Sequence, residues 1–248
     1  MLPWSIEMRG RFEEHTFESA ALRDNPLGDP YHRPLWVYLP PGYANEPGRR
    51  YPTIYQIQGL TGQLDMWRNR PPFRRNFPEL ADGLFAREEA PPCIIVWVDC
   101  WTSLGGSQFL DSPGTGRYHT YLCEEIVPWV DRRYRTLPAR DHRGIAGKSS
   151  GGYGAMVTPM LRPDLWGGLA THAGDALFEM CYLPEFRASV RALRDQFFLD
   201  LGAEAFRRAL AGVGVTDVFF ELFDATHSNI EYRYPIGLKY LAERLAPE

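Results

Sequence analysis

Residues 145–154, IAGKSSGGYG, set two adjacent serines among four glycines directly behind an apolar pair. Within them GKSSG (147–151) fits G-x-S-x-G, a pattern whose middle serine sits on a sharp turn from strand to helix, where small neighbours avoid clashes. That serine is Ser149. The context agrees, because RGIA ahead of it reads as an apolar strand and GGYGAMVTPML behind it is compatible with a helix. Such a turn holds the hydroxyl out at the carboxyl edge of a parallel sheet and aims the positive end of the following helix at the site. Ser150 would then contribute its backbone N–H rather than its hydroxyl. A phosphate-binding loop does not fit, since G-x-x-x-x-G-K-[ST] requires glycine where His142 stands.

Outward from this turn, short apolar runs rich in β-branched and aromatic residues alternate with helical patterns, which predicts an α/β fold with a mostly parallel sheet and helices on both faces. Strands are expected at 34–40, 52–58, 92–99, 143–147, 166–174 and 215–223. The run CIIVWV (93–98) is apolar on both faces and belongs at the sheet centre. Helices are expected at 77–89, 120–134, 199–212 and 229–245, and Pro128 should kink the second or mark its restart. The 248 residues are read as one domain, 1–248.

Serine is a weak nucleophile and needs a base that is itself oriented by an acid. Only His172 and His227 follow Ser149 in the chain order serine, acid, histidine. His227 lies just past the last predicted strand and ahead of the final helix, where that order puts the base. His172 lies at an apolar strand end and reads as structural. Acyl transfer also needs donors for the developing oxyanion. The turn QGLTG (58–62) follows a central strand, so Leu60 N–H and Ser150 N–H are the expected pair.

YPTIYQIQGLTG, RYHTYLCEEIVPWVDRRYRT, RGIAGKSSGGYGAMVTPMLRPDLWGGLATHAG and DATHSNIEYRYPIGLKYLAERL together resemble the esterase D group of α/β hydrolases, which includes S-formylglutathione hydrolases and feruloyl esterases. The resemblance covers about residues 30–181 and 194 to the end. It implies the α/β-hydrolase fold, Ser149 as nucleophile, His227 as base, and Leu60 with Ser150 as oxyanion donors. It breaks at 182–198, where members carry a lid and a further strand ending at the catalytic acid. Here that stretch reads as helix, as though lid and strand were absent. RDQFFLDLGAEAFRRAL nonetheless resembles the piece after that strand, with Asp195 at the acid's place. Asp175, just beyond the strand ending THAG, is the geometric alternative.

The expected activity is hydrolysis of carboxylic esters or thioesters through an acyl-enzyme, as a serine carboxylesterase without metal or organic cofactor. An acyltransferase on the same triad, or an impaired hydrolase-fold binding protein, are the alternatives. The expected partner is a small-molecule ester or thioester, and a homodimer is compatible with the sequence. A net charge of -4 gives no electrostatic reason for nucleic acid, and no apolar run approaches the roughly 20 residues of a spanning helix, so no membrane partner is expected. Four cysteines without a C-x-x-C pair and a start without an apolar leader point to reduced thiols and the cytoplasm. Trp67, Trp101, Phe109 and Tyr118 sit on loops that either line an acyl pocket or pack beneath it.

Overall fold

The computed structural model describes residues 7–70, 74–181, 199–223 and 230–247. Eight strands occur among them: β1 (Arg11–Glu18), β2 (His32–Leu39), β3 (Thr53–Ile57), β4 (Ile94–Val98), β5 (Asp111–Ser112), β6 (Gly116–Arg117), β7 (Arg143–Lys148) and β8 (Gly168–His172). Six form one sheet in the order β1-β2-β4-β3-β7-β8, and β5 and β6 make a separate two-stranded ribbon. β3, β4, β7 and β8 run parallel, while β1 and β2 join antiparallel at one side. Every residue of β3 and β4 is buried, as two helical layers require.

Helices cover both faces. One layer holds α1 (Phe77–Ala86) and α7 (Tyr234–Leu245), whose Leu84, Phe85, Leu238 and Leu241 pack with Ile54, Ile95 and Trp97. The other holds the helical stretch from α2 (Tyr118–Thr120) through a π-helical turn (Tyr121–Ile126) to α3 (Val127–Arg133), together with α4 (Ser150–Leu161). Pro128 follows the π-helical turn directly, and Ile126 and Val127 ahead of it keep helical φ and ψ, so the helix runs on through the proline without a restart. α1 begins with a capping box: the Asn76 side chain accepts from Glu79 N at 3.0 Å, and the Glu79 carboxylate accepts from Asn76 N at 3.0 Å. Two further helices, α5 (Phe178–Cys181) and α6 (Leu199–Gly212), follow β8 in the chain.

Two expectations change. β1 was not anticipated, because RFEEHTFE carries too many charges to read as an apolar run. It is an edge strand held across the sheet by side chains: Tyr134 OH lies 2.6 Å from His15 Nε2 and donates to Glu13 Oε2 at 2.7 Å. Conversely, 215–223 forms no strand. Its side chains go to α7 instead. Asp217 accepts from Tyr240 OH (2.7 Å) and Arg244 Nε (2.9 Å), Phe219 packs on Tyr240, and Glu221 pairs with Arg233. Phe219 is left 53% exposed. The predicted helix over 182–198 lies outside the described residues.

Candidate active site

β7 ends at Lys148 and α4 starts at Ser150, so Ser149 alone makes the turn. Its φ of 58° and ψ of −127° put a non-glycine residue in a conformation that L side chains avoid, and such strain persists only where the surroundings enforce it. Three backbone bonds do so. Ser149 N donates to His172 O (3.0 Å), and Tyr153 N and Asp175 N donate to Ser149 O (2.9 and 3.3 Å). The glycines provide the room. A Cβ on Gly147 would stand 2.2 Å from Gly151 O, and one on Gly151 would stand 2.6 Å from the backbone oxygens of Ile57 and Gln58. The elbow therefore nests against the end of β3 at a distance that no side chain allows.

β3 delivers the next group. Gly59 lies against the serine, with its virtual Cβ 3.2 Å from Ser149 Cβ, and Leu60 follows it into the turn. The turn is braced by Thr61 N donating to Gly105 O (2.8 Å) and by the Leu60 side chain lying on Gly105 and Gly106. Gln58 ties it to β4: with its amide nitrogen toward Val98 O (2.8 Å), its oxygen accepts from Cys100 N (2.8 Å) and Trp101 N (2.9 Å). The Arg33–Asp99 ion pair is buried at the same edge. Burial lifts the Asp99 carboxyl to about 6, against the opposing pull of Arg33 and the Trp101 N–H.

Ser150 is buried, and its hydroxyl is engaged, donating to Asp175 Oδ2 at 2.9 Å while Gln108 Nε2 donates to it at 3.4 Å. Its backbone N–H is among the first of α4, groups that have no partner within a helix. The Ser149 hydroxyl lies 3.5 Å from Asp175 Oδ1. Ser149, Ser150, Leu60 and Asp175 are thus brought to one corner of the sheet. His227 and Asp195 lie outside the described residues.

Gln108 was not anticipated. The long loop after β4 was expected to matter, but nothing local singles out this residue. Gln108 and Phe109 are both left-handed (φ 52° and 58°), and the Phe109 ring fills the space above Gly154, which fixes Gln108 beside Ser150. Of the aromatics considered for a pocket, Trp67, Phe109 and Tyr118 are almost wholly buried and belong to the core. The His172 ring meets Tyr234 edge to face, with centroids 5.3 Å apart, and lies over Gly237. Burial, with a smaller contribution from Arg233, lowers its pKa to about 4. The four cysteines are buried and none is in a disulfide among the described residues, and no helix among those residues is long and apolar enough to cross a membrane.

Known proteins share this fold. A ferulic acid esterase, 21% identical, superposes with a TM-score of 0.74 over 97% of this chain and all of its own. An S-formylglutathione hydrolase from Agrobacterium tumefaciens, 20% identical, gives 0.70 over 98% of each chain. Both share the α/β-hydrolase fold found here. An esterase of Mycobacterium tuberculosis is 28% identical over 166 residues, which are 65% of this chain and 32% of that protein. The chain thus spans about a third of the length of that curated relative. The model of the Esterase family, described as "Putative esterase", matches residues 30–179, a stretch that contains β3, the elbow and Asp175, and this chain belongs to that family.

Proposed function

We propose that the protein is a serine carboxylesterase acting on small esters or thioesters. The carrying observation is Ser149, strained at the β7–α4 corner with the Gly59–Leu60 turn against it. The Ser149 oxygen attacks the carbonyl carbon, and His227 takes its proton. Leu60 N–H and Ser150 N–H hold the oxyanion. Collapse expels the alcohol or thiol, which leaves with the proton from His227, and water then cleaves the acyl-enzyme by the same path. The steps require no metal or organic cofactor.

Asp195 is assigned to orient His227. The position of Asp175 supports that choice over the alternative. A triad acid stands one imidazole away from the nucleophile, and the 3.5 Å between Ser149 Oγ and Asp175 Oδ1 leaves no room for a ring between them. The membership in the Esterase family supports ester hydrolysis as the reaction class.

Labelling with a fluorophosphonate, alongside p-nitrophenyl acetate turnover, tests the assignment. The unmodified protein should label and turn over, and Ser149→Ala should do neither. Equal labelling of both proteins, or of neither, would remove the nucleophile from the proposal.

A further inference from the structure

Ser150 is 3% exposed, and its hydroxyl is held from two sides. It donates to Asp175 Oδ2 at 2.9 Å and accepts from Gln108 Nε2 at 3.4 Å. Asp175, equally buried, grips the same stretch of backbone a second time, because its own N–H donates to Ser149 O at 3.3 Å. The chain is built to bring it there. β8 ends at His172, Ala173 takes a left-handed φ of 46°, and Gly174 lies so close to α4 that a Cβ on Gly152 would fall 2.5 Å from Gly174 Cα. The residues at and after the end of β8 therefore hold both peptide groups of Ser149: His172 O accepts the N–H of one, and Asp175 N donates to the C=O of the other.

The second of these peptide groups runs from Ser149 C=O to Ser150 N–H. A peptide is planar, so bonds that fix its carbonyl and the Ser150 side chain also fix where that N–H points. A hydrogen bond weakens steeply as it departs from linear, and a donor for an oxyanion has to be aimed before the reaction begins. Resting on the esterase reading above, we infer that Asp175 is a positioning residue, which acts through the Ser150 hydroxyl to aim the Ser150 N–H at the oxyanion. The Gln108 contact is the longer of the two on that hydroxyl, so Asp175 carries most of the effect. Losing an oxyanion donor outright costs about a hundredfold to a thousandfold in kcat, and a donor that stays in place but loses its aim should cost about tenfold to a hundredfold.

Turnover of p-nitrophenyl acetate by Ser150→Ala, Asp175→Ala and the double variant tests this, with kcat expressed per serine counted by fluorophosphonate so that unfolded protein drops out. Acylation and deacylation both pass through an oxyanion, so each single variant should lose about tenfold or more in kcat with KM little changed. In the Asp175→Ala background, Ser150→Ala should add less than about threefold, since the partner of its hydroxyl is already gone. Asp175→Asn, which keeps an oxygen to accept from Ser150 Oγ, should recover much of the loss. A merely structural role would lower the number of labelled serines and leave kcat per serine unchanged. Full kcat per serine in Ser150→Ala, which only removes one oxygen, would overturn the inference whether or not the Asp175 variants fold. Losses that multiply in the double variant, or Asp175→Asn as slow as Asp175→Ala, would overturn it too. If Ser149→Ala turns over the ester as fast as the unmodified protein, the esterase reading fails and takes this inference with it. Ser149-dependent turnover that is indifferent to Ser150→Ala overturns only the positioning role.

Discussion

Acidification should destabilise this protein through one imidazole. His172 packs against Tyr234 and Gly237, and its pKa is lowered to about 4, first by burial and then by the nearby Arg233 charge. In the unfolded chain the same group titrates near 6.5, so between pH 6.5 and 4 the unfolded state binds more protons and stability falls as the pH falls. At pH 4.5 the shift amounts to about 2.5 kcal/mol relative to pH 7, a large share of the roughly 5–15 kcal/mol that holds a typical domain. Asp99 works in the opposite direction. Its raised pKa makes the folded state bind more protons between about 4 and 6, so its contribution falls as the pH rises through that range. Comparison with His172→Gln separates the two, since Asp99 remains in both proteins. Urea unfolding at pH 7 and pH 4.5 should show the unmodified protein losing about 2.5 kcal/mol more than the variant. Parallel losses in the two proteins would refute the argument, because the imidazole would then be free to protonate in the folded state. The elbow would feel the change, as His172 O accepts the Ser149 N–H.

Gly151→Ala should cost about 1–3 kcal/mol in chemical denaturation, because the new methyl meets the backbone oxygens of Ile57 and Gln58, which cannot swing aside; unchanged stability would mean that the elbow is looser than its contacts indicate. Phe219→Ser should change stability by less than about 1 kcal/mol, whereas Ile95→Ala should cost about 2–5 kcal/mol, since only the second side chain is in the core. Comparable losses at both positions would put 215–223 in the sheet after all.

Five of the predicted strands and the turn between β7 and α4 were legible in the sequence for a local reason. Runs such as IIVWV are stable only when covered on both faces, and a serine set among glycines after an apolar run has the small neighbours that a sharp strand-to-helix turn requires. Strand pairing is not local. RFEEHTFE gains its ladder from β2, with side-chain support from Tyr134, and neither partner is visible within the run itself. VTDVFFELF has the composition of a strand, but strand propensity supplies no partner, and contacts with Arg233, Tyr240 and Arg244 hold it along α7 instead. The same holds at the site. Its strained serine turn is written in consecutive residues, whereas Asp175 reaches Ser149 and Gln108 reaches Ser150 only because β8, α4 and the loop after β4 converge at one corner of the sheet. Sequence determined what each segment could form; the tertiary structure decided which partners it met, because hydrogen bonds and charges are satisfied by neighbours in space.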